Sequence, residues 1–214
     1  MKDYKRLNLP LLTKQDEEYD ILLQVAQEIK RQEKEKTAEK KSGNATEIVI
    51  RKHLQKHGFN VSQNCVYVNP SVREIDLIIL KDGEAMNPDK TYSSSQVHTV
   101  LEIKNNAVGG KKVNDEIHTP SQEIRQRFDD IENATGVNRF AVVVLSEKLL
   151  SKTPYPYAID ELEIGKKNCR VFTCVLRRTW AKLREEVVVI EMQVSGQLWK
   201  SNEWQGLINY LRGN

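Results

Sequence analysis

Charged side chains interrupt two runs of the sequence that are otherwise strongly apolar. Asp76 lies in the run 73–80, and Glu102 and Lys104 lie in the run 98–104. Successive side chains of a β-strand point to opposite faces, so Glu102 and Lys104 project from the same face. Asp76 joins them if the two strands are neighbours. The pattern predicts two carboxylates and one ammonium group on a single surface of a sheet.

Glu47 adds a third acid from a helix, because it precedes Ile50 by three residues and therefore shares the apolar stripe that faces the sheet. Two carboxylates at ~4 Å repel by about 4 kcal/mol at an effective dielectric near 20. Lys104 alone cannot neutralise three acids, whereas Mg²⁺ binds one or two carboxylates together with water and phosphate oxygens. The constellation predicts a metal site for phosphodiester hydrolysis, with Lys104 orienting the attacking water or stabilising developing charge.

The periodicity of the chain indicates the elements that must position these residues. A helix is predicted over about 14–41, with Tyr19, Leu22, Ala26 and Ile29 on one face, and is closed by a break at 42–44. A second helix is predicted from an N-cap at Asn44 to His57, with Gly58 as its C-terminal stop. Further elements are expected as strands over 61–68, 73–80, 98–104, 139–145, 169–176 and 187–191, a loop over 81–96, and helices over 120–135 and 201–211.

Composition limits the classes of protein to which the chain can belong. Its 214 residues carry 33 Lys and Arg against 30 Asp and Glu, and 39% are hydrophobic, which is typical of a soluble globular protein. The longest uncharged apolar stretch, 140–145, is far shorter than the ~20 residues that cross a bilayer, and no apolar signal core follows Met1. We therefore expect a cytoplasmic protein that has no membrane partner.

The succession of Glu47 on a helix, Asp76 on a strand and Glu102-Ile103-Lys104 on the next strand resembles the PD-(D/E)xK nuclease superfamily. The resemblance covers about 43–144 and implies an α/β, restriction-endonuclease-like fold with a mixed central sheet flanked by helices. We expect a nuclease-like domain over 43–214, preceded by an N-terminal helical extension over 1–42.

The resemblance also implies roles for these residues. Asp76, Glu102 and the backbone carbonyl of Ile103 would bind Mg²⁺, for which Mn²⁺ can substitute. Lys104 would position or activate the nucleophilic water, and Glu47 would be the additional catalytic acid. The implied activity is that of a DNA endonuclease in defence, restriction or repair. Glu74 competes with Asp76 for its role, because both side chains have the same strand parity.

Four basic residues near the expected site are predicted to contact nucleic acid. Arg125 and Arg127 lie on the helix that follows Lys104, and Lys111 and Lys112 lie in a glycine-containing loop. The alternative for the two arginines is an ordinary solvated helix face. We expect DNA rather than RNA as the partner, and a homodimer, because one site per chain cuts one strand. A further alternative is that an additional protein partner is needed before the protein cuts.

Two rival functions remain open at the level of the sequence. The first is a catalytically inactive nuclease-fold module for binding or assembly, which metal-dependent thermal stabilisation would distinguish from a nuclease. The second is a zinc hydrolase that uses His53 and His57, which lie four residues apart on the helix of Glu47. No third ligand and no HExxH pattern accompanies these histidines, so they are predicted to be surface or phosphate-contacting residues.

Overall fold

The computed structural model describes residues 10–34, 41–65, 74–106, 111–113, 116–118, 120–149, 168–178, 198–201 and 203–213. Its helices are α1 (Glu17–Lys34), α2 (Lys41–Lys56), α3 (Pro120–Thr135) and α4 (Glu203–Leu211). Its strands are β1 (Val61–Cys65), β2 (Ile75–Leu80), β3 (Val97–Asn106), β4 (Lys111–Val113), β5 (Glu116–His118), β6 (Phe140–Leu149), β7 (Cys169–Arg178) and β8 (Leu198–Lys200).

A mixed sheet in the order β1-β2-β3-β6-β7-β8 forms the centre of the molecule. Strands β1, β2 and β3 pair antiparallel, β3, β6 and β7 pair parallel, and β8 returns antiparallel to β7. The parallel pairing of β3 with β6 needs a crossover, and α3 lies in that connection. Strands β4 and β5 form a separate two-stranded hairpin. The expected α/β class, with a mixed sheet flanked by helices, is confirmed, while the restriction-endonuclease-like assignment stays a prediction.

Alternating side chains of the central strands build two apolar cores, one on each face of the sheet. Leu101 and Val143 point to the core that α1, α2 and α4 cover. Val100 and Val142 point to the opposite core, which α3 covers. Because both faces are buried, the inner strands are apolar at nearly every position, as in the burial pattern of β2. A charged residue on these strands is therefore exceptional.

Helix α1 is present, but its most deeply buried residues differ from the predicted stripe. Ile21 and Val25 are buried in the same core as Ile50 of α2, whereas Leu22 and Ile29 are only partly buried. The stripe is rotated because α2 packs along the face of α1 that carries Ile21. The division of the chain into residues 1–42 and 43–214 stays a prediction.

Helix boundaries follow the predicted stop signals better than the predicted start. Gly58, two residues beyond the end of α2, and Gly136, directly after α3, adopt positive φ angles of 88° and 77°. Glycine favours this conformation at a helix end. The N-cap predicted at Asn44 is wrong, because α2 already begins at Lys41. Gly and Asn are poor helix formers but do not prevent a helix from forming when its later turns are buried.

Some short strands were not predicted, and some predicted strand residues lie outside the described part of the chain. The three-residue strands β4, β5 and β8 were not predicted, because a strand of that length carries no detectable alternation. The predicted strand at 187–191, and residues 66–68 of the first predicted strand, lie outside the described residues. None of the described helices combines the length and the apolar character needed to cross a membrane.

Candidate active site

The register of β2 and β3 brings Asp76 and Glu102 to the same level of the sheet. These strands pair antiparallel, with Leu77 opposite Leu101. Extending the register by one residue sets Asp76 opposite Glu102, and directly opposite residues of an antiparallel pair share a face. Two carboxylates in this relation repel each other. Neighbouring strands were the condition for the predicted convergence, and the structure meets it.

Asp76 accepts a hydrogen bond from the backbone of the strand beside it. The Ile103 amide donates to Asp76 Oδ2 at 2.8 Å, just beyond the Leu77–Leu101 pair. The pKa of Asp76 is raised to about 7. Burial is the largest cause and the negative charge of Glu102 the next, while the Ile103 hydrogen bond and Lys104 only partly oppose the rise. Near neutral pH this position therefore exchanges readily between a neutral acid and a carboxylate.

Glu102 is the most deeply buried acid of the site, with 3% of its side chain exposed, and cations contact both of its oxygens. Lys104 Nζ lies 2.7 Å from Oε1, and one terminal guanidinium nitrogen of Arg127 lies 2.5 Å from Oε2. Arg127 reaches the carboxylate from α3, which covers this face of the sheet. A carboxylate at this depth needs such partners, because desolvation disfavours an unpaired charge.

Glu47 approaches the pair from α2, on the other side of the sheet. Its Oε2 accepts a hydrogen bond from Gln63 Nε2 at 3.2 Å. Burial raises the pKa of Glu47, and the charges of Glu74 and Glu102 add to the rise against the opposing Gln63 hydrogen bond. Glu47 in turn helps to raise the pKa of Asp76. The helical acid is thus within electrostatic reach of the strand acids, and its convergence with them on one metal site stays a prediction.

The competitor Glu74 and the four predicted nucleic-acid contacts have different surroundings. Glu74 is exposed and acts as a like charge toward Glu47. Arg125 is exposed, whereas Arg127 is held by Glu102. Lys111 and Lys112 lie on β4, and their side chains lie outside what the structure describes. Nucleic-acid contact by any of these basic residues stays a prediction.

The prediction that His53 and His57 are surface or phosphate-contacting residues is wrong for His53. His53 is 1% exposed, and its Nδ1 lies 2.9 Å from Glu17 Oε1, while His57 Nε2 lies 2.8 Å from Glu17 Oε2. Burial of Glu17 acts to raise its pKa, but the hydrogen bonds to the two histidines outweigh it and lower the pKa to about 2. The pair joins α2 to α1, an arrangement that the sequence could not reveal without the helix packing.

Sequence reasoning missed Gln63 as a neighbour of Glu47 and assigned Arg127 to phosphate rather than to Glu102. The available signal for Gln63 was its position on a strand face shared with Val61, where a polar residue is unexpected. For Arg127 the signal was the need of a buried Glu102 for more than one cation. Both contacts join residues of different elements, so neither follows from local spacing.

The donor set of the site fits a small hard cation. Asp76 and Glu102 supply carboxylate oxygens, and Mg²⁺ characteristically uses one or two carboxylates and retains several waters. Among the residues that the structure describes, no cluster of three or more His, Cys, Asp or Glu side chains is arranged to hold a metal ion. A cation here would therefore depend on two carboxylates, the Ile103 carbonyl and oxygens from solvent or substrate.

Comparisons with known proteins leave the family of the chain open. No protein-family model matches the chain, and no curated protein matches it significantly. One solved structure that matches is that of NucC from P. aeruginosa ATCC27853 in its cAAA-bound form, at 11% identity and a TM-score of 0.44, covering 94% of this chain and 92% of that one. A likeness of this degree establishes neither a family nor an activity. The evidence on function is therefore the chemistry of the site.

Proposed function

We propose that the chain is a metal-dependent nuclease of the PD-(D/E)xK type that hydrolyses phosphodiester bonds, with Asp76, Glu102, Lys104 and Glu47 as its catalytic residues. The observation that carries the proposal is the juxtaposition of buried Glu102, in contact with Lys104 at 2.7 Å, and Asp76, whose pKa is raised to about 7. Such clustering of perturbed acids with a lysine is a mark of catalytic sites.

Lys104 is the residue proposed to act on the attacking water. Its side chain is 35% exposed, so Nζ contacts Glu102 on one side and is accessible to solvent on the other. An ammonium group in that position can orient a water toward phosphorus and stabilise the negative charge that develops on the phosphoryl oxygens. The new bond joins the water oxygen to phosphorus, and the bond from phosphorus to the leaving oxygen breaks.

Asp76 and Glu102, together with the Ile103 carbonyl, are proposed to hold Mg²⁺ or Mn²⁺. The bound cation would supply Lewis-acid stabilisation of the phosphodiester oxygens. Asp76 must be ionised to act as a ligand. Its pKa is raised first by burial and then by the like charge of Glu102, and a bound cation would offset both effects. Glu47 is proposed to add negative potential from α2, which favours cation binding.

The proposal extends to substrate and assembly. We propose DNA as the substrate, with endonucleolytic cutting in defence, restriction or repair in the cytoplasm. Arg125, Arg127, Lys111 and Lys112 are proposed to contact the phosphate backbone. A homodimer would supply the second site that cleavage of both strands requires, and a further protein partner would control cutting.

Cleavage of duplex, single-stranded and branched DNA, and of RNA, in Mg²⁺ or Mn²⁺ tests the proposal. Lys104→Met and Asp76→Asn should each lower the rate of metal-dependent cutting by roughly 10²–10³-fold, in line with the loss of one charge-stabilising group. The matched controls Lys52→Met and Asp82→Asn change exposed residues of the same types and should cut as the parent protein does. Activity that persists in both site variants contradicts the proposal.

One observation favours the alternative, an inactive nuclease-fold module for binding or assembly. Both oxygens of Glu102 already contact cationic side chains, so this acid is satisfied without a metal. Under that alternative neither Mg²⁺ nor Mn²⁺ raises the melting temperature, whereas a ligand that binds only the folded state must raise it. Folded protein that cuts no substrate and shows no metal-dependent shift would favour the module.

A further inference from the structure

The contact between Arg127 and Glu102 spans the gap between α3 and the sheet. Arg127 is 27% exposed and Glu102 is 3% exposed, so the guanidinium connects the solvent-accessible side of the site to its most buried acid. The other oxygen of Glu102 contacts Lys104. A metal that uses Glu102 therefore meets a carboxylate with cations on both oxygens.

We propose that Arg127 is an exchangeable counter-ion, which neutralises Glu102 in the metal-free protein and must release Oε2 when a divalent cation binds. This inference rests on the proposed function, because it takes Asp76 and Glu102 as the metal ligands. In this role Arg127 is more than a phosphate contact, because it also sets the affinity of the site for metal.

The charges of the site support this exchange. Without metal, Lys104 and Arg127 each contact one oxygen of Glu102, so the most buried acid of the site already has two cationic partners. A divalent cation added beside both basic residues would leave an excess of positive charge. Release of one basic side chain relieves that repulsion and frees a cationic group for a substrate phosphate.

Arg127 is better placed than Lys104 to be the group released. Lys104 belongs to β3 itself, two residues from Glu102, so the backbone that positions the acid also holds the lysine beside it. Arg127 comes from α3 on a long side chain that is partly exposed. Rotation of its side chain can free Oε2 without displacing a strand.

Titration of the full-length protein with Mn²⁺ alone, followed by calorimetry or by the electron paramagnetic resonance of free Mn²⁺, tests the exchange. Arg127→Met removes the competing charge and keeps an unbranched side chain, and Mn²⁺ should then bind about tenfold more tightly. Arg212→Met makes the same change at an exposed position just beyond α4 and should leave the Mn²⁺ affinity unchanged. Asp76→Asn should abolish the Mn²⁺ binding that is measured, which assigns it to this site.

A second measurement separates exchange from a purely structural contact. In EDTA, Arg127→Met should melt below the parent protein, because it leaves Glu102 with one cation, and the addition of Mn²⁺ should narrow that difference. If Arg127→Met does not fold, Arg127→Lys carries the test, since one ammonium makes fewer bonds to the carboxylate and should bind Mn²⁺ roughly threefold more tightly than the parent protein.

The outcomes distinguish this inference from the proposed function. If the protein cleaves in a metal-dependent way but the Arg127 variants bind Mn²⁺ equally or more weakly than the parent protein, the exchange proposal is overturned. The proposed nuclease function is then still supported. Tighter Mn²⁺ binding in those variants without any cleavage supports the exchange and counts against the nuclease. If neither the parent protein nor the Arg127 variants bind Mn²⁺, the exchange proposal is overturned. The cleavage assay then tests the proposed nuclease function separately.

Discussion

Asp76 and Glu102 lie on neighbouring strands of the sheet, yet their charges are compensated differently. Glu102 keeps two cationic partners, while Asp76 accepts one backbone hydrogen bond and has a pKa of about 7. A proton can thus replace the missing cation at Asp76. The residue-scale prediction is that the protein without metal is destabilised by ionisation of Asp76.

Asp76→Asn tests this destabilisation in EDTA. An unfolded chain releases the Asp proton near pH ~3.9, whereas the folded protein keeps it up to about pH 7. The folded state therefore binds more protons between these values, so the contribution of Asp76 to the free energy of unfolding falls as pH rises through that window. At pH 8 we expect the variant to be more stable than the parent protein by about 1–4 kcal/mol, with the difference vanishing toward pH 4.

Urea denaturation across pH measures this difference. Asp82→Asn, at an exposed turn, is the matched control and should follow the parent protein at every pH. Parallel stability curves for Asp76→Asn and the parent protein between pH 4 and 8 would contradict the prediction. If Asp76 is a metal ligand, saturating Mg²⁺ should make the parent protein more stable than Asp76→Asn at pH 8, since only the parent protein is then stabilised by the metal.

Helices α1 and α2 are joined by a polar contact as well as by apolar packing. Glu17 lies in the first turn of α1 and contacts His53 of α2 and His57 just beyond its end. The fold brings Glu17 there from 36 and 40 residues away along the chain. Its side chain is 30% exposed, so the contact is only partly shielded from water. At the element scale this carboxylate is expected to stabilise the docking of α1.

Glu17→Gln should destabilise the protein by about 1–3 kcal/mol at pH 7. Burial acts to raise the pKa of Glu17, but the histidine contacts lower it to about 2, below the ~4.3 of an unfolded chain. Its contribution is therefore complete above the unfolded value and is lost as the pH falls toward 2. Chemical denaturation should show that the difference in the free energy of unfolding between variant and parent protein disappears over that range.

Glu28→Gln on the same helix is the matched control. Glu28 pairs with Arg31 one turn away, where the guanidinium side chain is 54% exposed. A pair within one helix whose guanidinium is this exposed contributes only about 0.5 kcal/mol or less. Equal losses from Glu17→Gln and Glu28→Gln would contradict the role given to the contact between the helices.

The whole molecule is a sheet between two cores, and α1 shares one of those cores with α2, α4 and the central strands. Ile21 of α1 is fully buried in it. Apolar contacts of this kind couple an element to the cooperative unfolding of the domain that it packs against. We therefore expect α1 to unfold together with the sheet rather than as a separate segment.

Ile21→Ala should lower the free energy of unfolding by about 2–5 kcal/mol, the usual loss for an aliphatic side chain removed from a core. The change should shift one transition seen identically by far-ultraviolet circular dichroism and tryptophan fluorescence. Leu11→Ala, at a position 54% exposed, should change stability by less than about 0.5 kcal/mol. Two separate transitions, with only the first sensitive to Ile21→Ala, would instead favour an independent N-terminal segment.

The sequence by itself determined the α/β class, the existence of the long helices and main strands, and the order of Glu47, Asp76, Glu102 and Lys104 along them. Periodicity carries this information, because a side chain's face within one helix or strand depends only on local spacing. The inward residues of α4 illustrate it: Trp204, Leu207, Ile208 and Leu211 recur at helical spacing, and all four are buried.

Only the tertiary structure decided which elements meet and therefore which charges compensate each other. The contacts of Arg127 with Glu102, of Gln63 with Glu47 and of Glu17 with His53 each join separate elements. The start of α2 at Lys41 likewise disagrees with its local signal. Such features depend on packing and desolvation between parts of the chain that are distant in sequence. The spacing of residues within one element therefore does not predict them.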